Sequence, residues 1–171
     1  MGHIVETHHA FTRQELERLA PLARTVARVH GKFHPELLRI QSALEIMSAD
    51  LNLHMNKEEE VVFPYIAELE DAALGNRPGL SPRMNGLQSP LEMMMSDHEA
   101  TGQHLHSMRD ASANYEVPSG GCLSYRSFYQ GLQALEKDLH QHISLENNIL
   151  FPRALQMEAS TRKTGPLHTT I

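Results

Sequence analysis

Apolar residues recur at helical spacing in four long stretches of the chain, and no segment shows the alternation of a half-buried strand. The first stretch runs from about Ile4 to Val29, with Leu16, Leu19, Leu22, Ala23, Val26 and Val29 on one face. His30-Gly31 closes it, glycine being the usual residue just past a helix C-terminus. The second begins near Pro35, a first-turn proline, and continues to about Ala73; Pro64 inside it should kink the helix or cap its main part. Residues 74–89 hold three Gly and two Pro and read as a surface loop. Ser89-Pro90-Leu91-Glu92 then supplies an N-cap serine, a first-turn proline and a capping-box glutamate for a third helix, which runs to about Asn114. After the loop Val117-Pro118-Ser119-Gly120-Gly121, a fourth helix spans about Ser124 to Met157, with Pro152 late inside it.

The pattern predicts an all-α fold, an up-down four-helix bundle occupying residues 1–158, followed by a loose polar tail over 159–171. A chain of 171 residues is long enough to bury one core without disulfides or other staples.

Charge and composition narrow the function. A net charge of −6 argues against a nucleic-acid partner, because phosphate binding needs an excess of Lys and Arg. No apolar run is long enough to span a membrane. The start, MGHIVETHHAF, shows no secretory pattern, and the one cysteine, Cys122, cannot form an internal disulfide; these point to the cytoplasm. Histidine is the outlier: 12 of them stand against 15 Lys and Arg together. Imidazole binds transition metals and titrates near neutrality, so the positions of these residues carry the functional argument.

An internal repeat sorts the histidines. His54-Met-Asn-Lys-Glu58-Glu-Glu-Val-Val-Phe63-Pro64 is matched by His142-Ile-Ser-Leu-Glu146-Asn-Asn-Ile-Leu-Phe151-Pro152, 88 residues later. His9 precedes His54 by 45 residues, and His98 precedes His142 by 44. The chain therefore reads as two helical hairpins, each offering one His from its first helix and His-x3-Glu from its second. An i, i+4 pair shares one helix face, about 6 Å apart, so His54 and Glu58 can reach one metal, as can His142 and Glu146. If the first hairpin turns near residue 32, His9 and His54 lie 23 and 22 residues from the turn and stand at one level of the bundle. Six ligands with two carboxylates suit a pair of ions, each held by two imidazoles and bridged by Glu58 and Glu146, with positions left open. A structural zinc site, closed by four ligands, fits poorly. Imidazole suits Fe, Zn, Cu and Ni alike, so ligand type alone does not select iron.

The strings IVETHH, VARVHG, HMNKEEEVVFP, DHEATG and HISLENNILFPRA resemble the hemerythrin-like domain of the repair-of-iron-centres (RIC) proteins, over about residues 3–156. The resemblance implies a hemerythrin-like four-helix bundle with two iron ions, an oxo or hydroxo bridge, and His9, His54, Glu58, His98, His142 and Glu146 as ligands. Oxygen-carrying hemerythrins place a second histidine where this chain has Gly102, and use His-x4-Asp where it has His142-x3-Glu146. Both departures favour the RIC type. Longer RIC members carry an extra N-terminal domain with a cysteine pair, to which nothing here corresponds.

The resemblance implies a stress-response protein that supplies iron for damaged iron–sulfur clusters, with apo iron–sulfur proteins as partners. Two alternatives are a module that binds or senses O2 or NO reversibly, and a reductase acting on NO, nitrite or peroxide. An iron donor or binding protein is preferred to a turnover enzyme, because no dedicated proton donor stands out. The remaining histidines have plainer readings. His8 neighbours His9 but points about 100° round the helix, so the choice of His9 rests on the repeat and the family register. His30 reads as a helix-end residue, His34 as exposed, and His104, His106 and His140 as partly exposed. Met93, Met94 and Met95 read as core and loop packing. Glu59 and Glu60 read as facing water or drawing cations, and Cys122 as accessible and without a motif.

Overall fold

A computed structural model describes residues 1–76 and 86–164 of the chain. Four long helices account for most of it, and no strand occurs among the described residues. Helix α1 covers residues 4–30, a π-helical turn Ile4–His9 followed by Ala10–His30. Helix α2 covers 36–73, as Glu36–Lys57, a π turn Glu58–Val62 and Phe63–Ala73. Helix α3 is Gln88–Ala111, and α4 covers 123–164, as Leu123–Leu145, a π turn Glu146–Leu150 and Phe151–Thr164. Helix α1 packs on α2 and α4, α2 packs on α3, and the C-terminal parts of α2 and α4 pack together. This is the up-down bundle the periodicity predicts.

The two interior prolines do not end their helices. Proline lacks the N–H of an ordinary turn, and its ring crowds the carbonyl four residues back. The chain answers with a widened turn just before each one: the Phe63 N–H donates to the Glu58 carbonyl, and the Phe151 N–H to the Glu146 carbonyl, both five residues back. Pro21 is also accommodated inside α1.

Several boundaries differ from the sequence reading. Val29, placed on the core face, is 58% exposed, although Val26 and Ala27 beside it near the end of α1 are buried. Ser89 does not cap α3, which starts at Gln88 with no side-chain cap of its own. The buried Glu158 of α4 accepts a hydrogen bond from the Leu87 N–H at 3.2 Å instead, a long-range cap that no local motif encodes. Helix α3 stops at Ala111 rather than Asn114; Ala113, Asn114 and Tyr115 all adopt positive φ. Helix α4 continues to Thr164, past the start of the expected tail, whose residues 165–171 lie outside the described residues, as do 77–85 of the loop after α2. Gly31 ends α1 with φ −60°, so its glycine is needed for closeness rather than handedness: a Cβ there would collide with the Ala27 carbonyl.

The core falls into two clusters. Leu19, Met47, Met55, Leu105, Phe128 and Leu139 belong to the one nearer the α1–α2 turn. Val62, Phe63, Leu69, Leu91 and Phe151 belong to the other. Between them, at the level of the π turns, the interior is polar.

Candidate metal centre

That polar layer is made of His9, His54, Glu58, His98, His142 and Glu146, all buried. The structure brings together all six residues that the repeat selects. They form two groups of four, His9-Glu58-His142-Glu146 and His54-Glu58-His98-Glu146, each with its ligand-type atoms within 4.8 Å of one another. The imidazoles pair across the hairpins. His9 Nε2 lies 3.2 Å from His142 Nε2, and His54 Nε2 lies 3.1 Å from His98 Nε2. Each carboxylate divides its oxygens between the groups. Glu58 turns Oε2 to His9 and Oε1 to His54, both at 3.3 Å. Glu146 turns Oε1 to His142 at 3.0 Å and Oε2 to His98 at 3.1 Å.

The outer nitrogens of three rings settle their tautomers. His9 Nδ1 meets Glu59 Oε1 at 2.6 Å, His98 Nδ1 meets the Asn147 side-chain oxygen at 2.9 Å, and His54 Nδ1 meets Asp97 Oδ2 at 3.3 Å. All three partners are acceptors, so the proton sits on Nδ1 and the Nε2 lone pair points inward. Phe63 and Phe151, from the two Phe-Pro endings, stack on His9 and His98 at 5.9 and 6.0 Å between ring centres.

No carboxylate oxygen of Glu58 or Glu146 accepts a well-formed hydrogen bond, although all four are buried. Inward lone pairs and unpartnered carboxylate oxygens at this depth are costly unless a cation collects them. The donor set fits metal ions. In the metal-free site, where Nε2 can carry a proton toward the carboxylates, burial works against the charged form of Glu146, but pairing with the His142 and His98 imidazoles outweighs it and holds its carboxyl down at about 2. Glu58 is lowered in the same way: burial opposes ionisation, and His54 and His9 prevail. His54 is raised, the Glu58 carboxylate overcoming the effect of burial.

Residues 1–154 match the family described as the hemerythrin HHE cation binding domain. The chain belongs to the hemerythrin family. The all-α bundle and a metal-binding centre of His and Glu agree with that membership. The chain is also 34% identical to a protein named iron-sulfur cluster repair protein YtfE from Yersinia pseudotuberculosis serotype IB (strain PB1/+), over 155 residues. A protein of the same name from Yersinia pestis (strain Pestoides F) matches at the same identity. These matches cover 91% of this chain and 64% of each relative, so the chain spans just under two thirds of their length. They support the resemblance to the RIC proteins.

The outer residues are where the sequence reading falls short. Glu59, expected to face water or draw cations, does hold Arg13 at 2.8 Å, but it also bonds His9. His8 is buried; its Nδ1 meets Asp138 at 3.0 Å, and its ring lies parallel to His142 at 5.7 Å. Asp97 and Asn147 have no role in the sequence reading. All four of these residues adjoin a candidate ligand in the repeat, which is the signal that could have found them. Of the other histidines, His106 and His140 are exposed and His104 is partly buried. His30 lies at the far end of α1, its Nε2 3.2 Å from Cys122 Sγ, and His34 is half-buried beside Glu36. Met94 is buried, while Met93 and Met95 are exposed. Among the described residues no helix is long and apolar enough to cross a membrane.

Proposed function

We propose that this chain is a di-iron protein of the nitrosative and oxidative stress response, which supplies iron for the repair of damaged iron–sulfur clusters. One observation carries the two-ion reading: Glu58 and Glu146 each turn one oxygen to each imidazole pair, as bridging carboxylates must. His9 and His142 would hold one ion and His54 and His98 the other, with the oxo or hydroxo bridge that the family resemblance implies. The repair role is supported by the names of the relatives, and the unit that would perform it is the helical bundle.

When bound, an iron pair supplies ions that are both redox-active and exchangeable. The chain's own residues favour release on demand. Each position has two imidazoles, and an imidazole that lets go of a metal takes up a proton near neutral pH. The two apolar clusters exclude bulk water from the layer, and the Nδ1 contacts of His9, His54 and His98 keep the lone pairs aimed inward. The recipients would be apo iron–sulfur proteins, and the chain would work in the cytoplasm.

The test mixes iron-loaded protein with an apo-ferredoxin or apo-dehydratase and follows cluster recovery. Recovery faster than with the same amount of free ferrous iron is the expected result; recovery no faster rules out donation. A second reading, reversible binding of O2, NO or peroxide, is favoured by the donor count, since two imidazoles and two carboxylates per position leave room for a small molecule. Stopped-flow spectra of the diferrous form would separate them: a stable, reversible charge-transfer band supports binding, and rapid irreversible oxidation excludes it.

A further inference from the structure

The two hairpins match in their candidate ligands but not in the residues beside them. Asp97 stands one before His98 where His8 stands one before His9, and Asn147 follows Glu146 where Glu59 follows Glu58. These four positions are the ones that meet the outer faces of the ring ligands. His9 therefore rests on a carboxylate at 2.6 Å, whereas its counterpart His98 rests on a neutral amide at 2.9 Å. His54 has a carboxylate, but at 3.3 Å, and the same Asp97 oxygen also faces the Lys57 ammonium at 3.4 Å. Both carboxylates are also shared with a cation, Glu59 Oε1 with Arg13 at 2.8 Å and Asp97 Oδ2 with Lys57, so distance is what separates them. A close carboxylate makes an imidazole a stronger donor, and a distant one does so less.

Access is unequal as well. His54 lines a surface recess of about 80 Å³, along with Asp97, Asp50, Lys57 and His104. Asp97, at its mouth, is 35% exposed at the side chain. Both rings are buried, His54 at 2% and His142 at 1% exposed, and the difference is in what lies over them: His142 has no hydrogen-bond partner on Nδ1 and is covered by the parallel ring of His8, which Asp138 anchors. Its ring is held by packing and sealed from water.

We propose that the two metal positions are unequal: the His9/His142 position retains its ion, and the His54/His98 position exchanges with solution through the recess over His54. Asp97 is the positioning residue for that exchange, acting through His54. When its carboxylate turns to Lys57 or to water, the His54 ring loses its outer support and is free to swing toward the recess. The inference rests on the two-ion reading above.

The full chain is loaded anaerobically with ferrous iron, freed of excess, analysed for iron per chain, and mixed with an excess of a colour-forming ferrous chelator. Two release phases of equal amplitude are expected. Asp97→Ala should speed the fast phase about tenfold and leave the slow one within about twofold, with Asp97→Asn between wild type and Ala. Glu59→Gln should act on the slow phase alone. Unchanged helical circular dichroism, together with an effect confined to one phase, distinguishes positioning from general loosening. Release in a single phase, or an Asp97 effect on the slow phase, overturns the inference while leaving two ions per chain intact. A chain that binds a single ion overturns the two-ion reading and this inference with it.

Discussion

His9 and His142 lie 133 residues apart in the chain, yet their Nε2 atoms face each other at 3.2 Å. The imidazole pairs thus form between hairpins, α1 with α4 and α2 with α3, and each hairpin contributes one ring to each pair. Neither hairpin alone can assemble a metal position.

The shared carboxylates extend that dependence. Because Glu58 and Glu146 each face both pairs, Glu58→Leu or Glu146→Leu should weaken both positions rather than one, by more than the roughly 10–100-fold typical of losing an outer-sphere partner. Iron analysis of the purified variants checks this. Two irons per chain in either one would refute the bridging assignment.

The π turns should matter to the same measurement. Pro64→Ala restores an N–H and removes the ring that crowds the Glu60 carbonyl, so the widened turn can close to an ordinary one. Closing it rotates Glu58 relative to the helix beyond by about 100°. The expected outcome is a metal-free protein more stable by up to the roughly 3 kcal/mol that separates Pro from Ala inside a helix, with weaker iron binding. Thermal unfolding and an iron titration test the two halves separately, and unchanged affinity would show that the turn does not aim Glu58.

The pH dependence of the metal-free chain has a definite sign. Glu146 lies below the ordinary carboxyl value of 4.5, at about 2, so its stabilisation is present above pH 4.5 and is lost as the pH falls toward 2. His54 lies above the ordinary 6.5, so its stabilisation is present below pH 6.5 and is lost as the pH rises through the raised value. Urea midpoints of metal-free protein should therefore be highest between these limits. Loaded protein should behave oppositely near neutrality, since metal binding needs unprotonated imidazoles. A metal-free midpoint that rises between pH 6.5 and 8 would contradict the assignment.

Glu158 joins α4 to the start of α3 and to α2, through the Leu87 N–H and the Tyr65 hydroxyl at 3.2 Å. Glu158→Ala leaves both donors buried without it, which should cost about 1–3 kcal/mol. Hydrogen exchange at Leu87 should rise more than at the centre of α3. Equal protection in both proteins would mean that water replaces the cap.

Much of this was legible in the sequence. Helical periodicity located four helices, because the apolar face of a helix is written locally at a spacing of three to four residues. The repeat selected His9, His54, Glu58, His98, His142 and Glu146, because a symmetric site on two hairpins must repeat its ligand types. The tertiary structure alone decided which imidazoles pair, how the carboxylates divide their oxygens, and that Glu59, Asp97 and Asn147 stand behind three of the candidate ligand rings while His8 covers the fourth. It also replaced the Ser89 cap with Glu158 and set a π turn just before Pro64 and just before Pro152. The physical reason is the same in each case: spacing along one helix sets which side chains share a face, whereas contacts between faces depend on how the helices rotate and pack against one another.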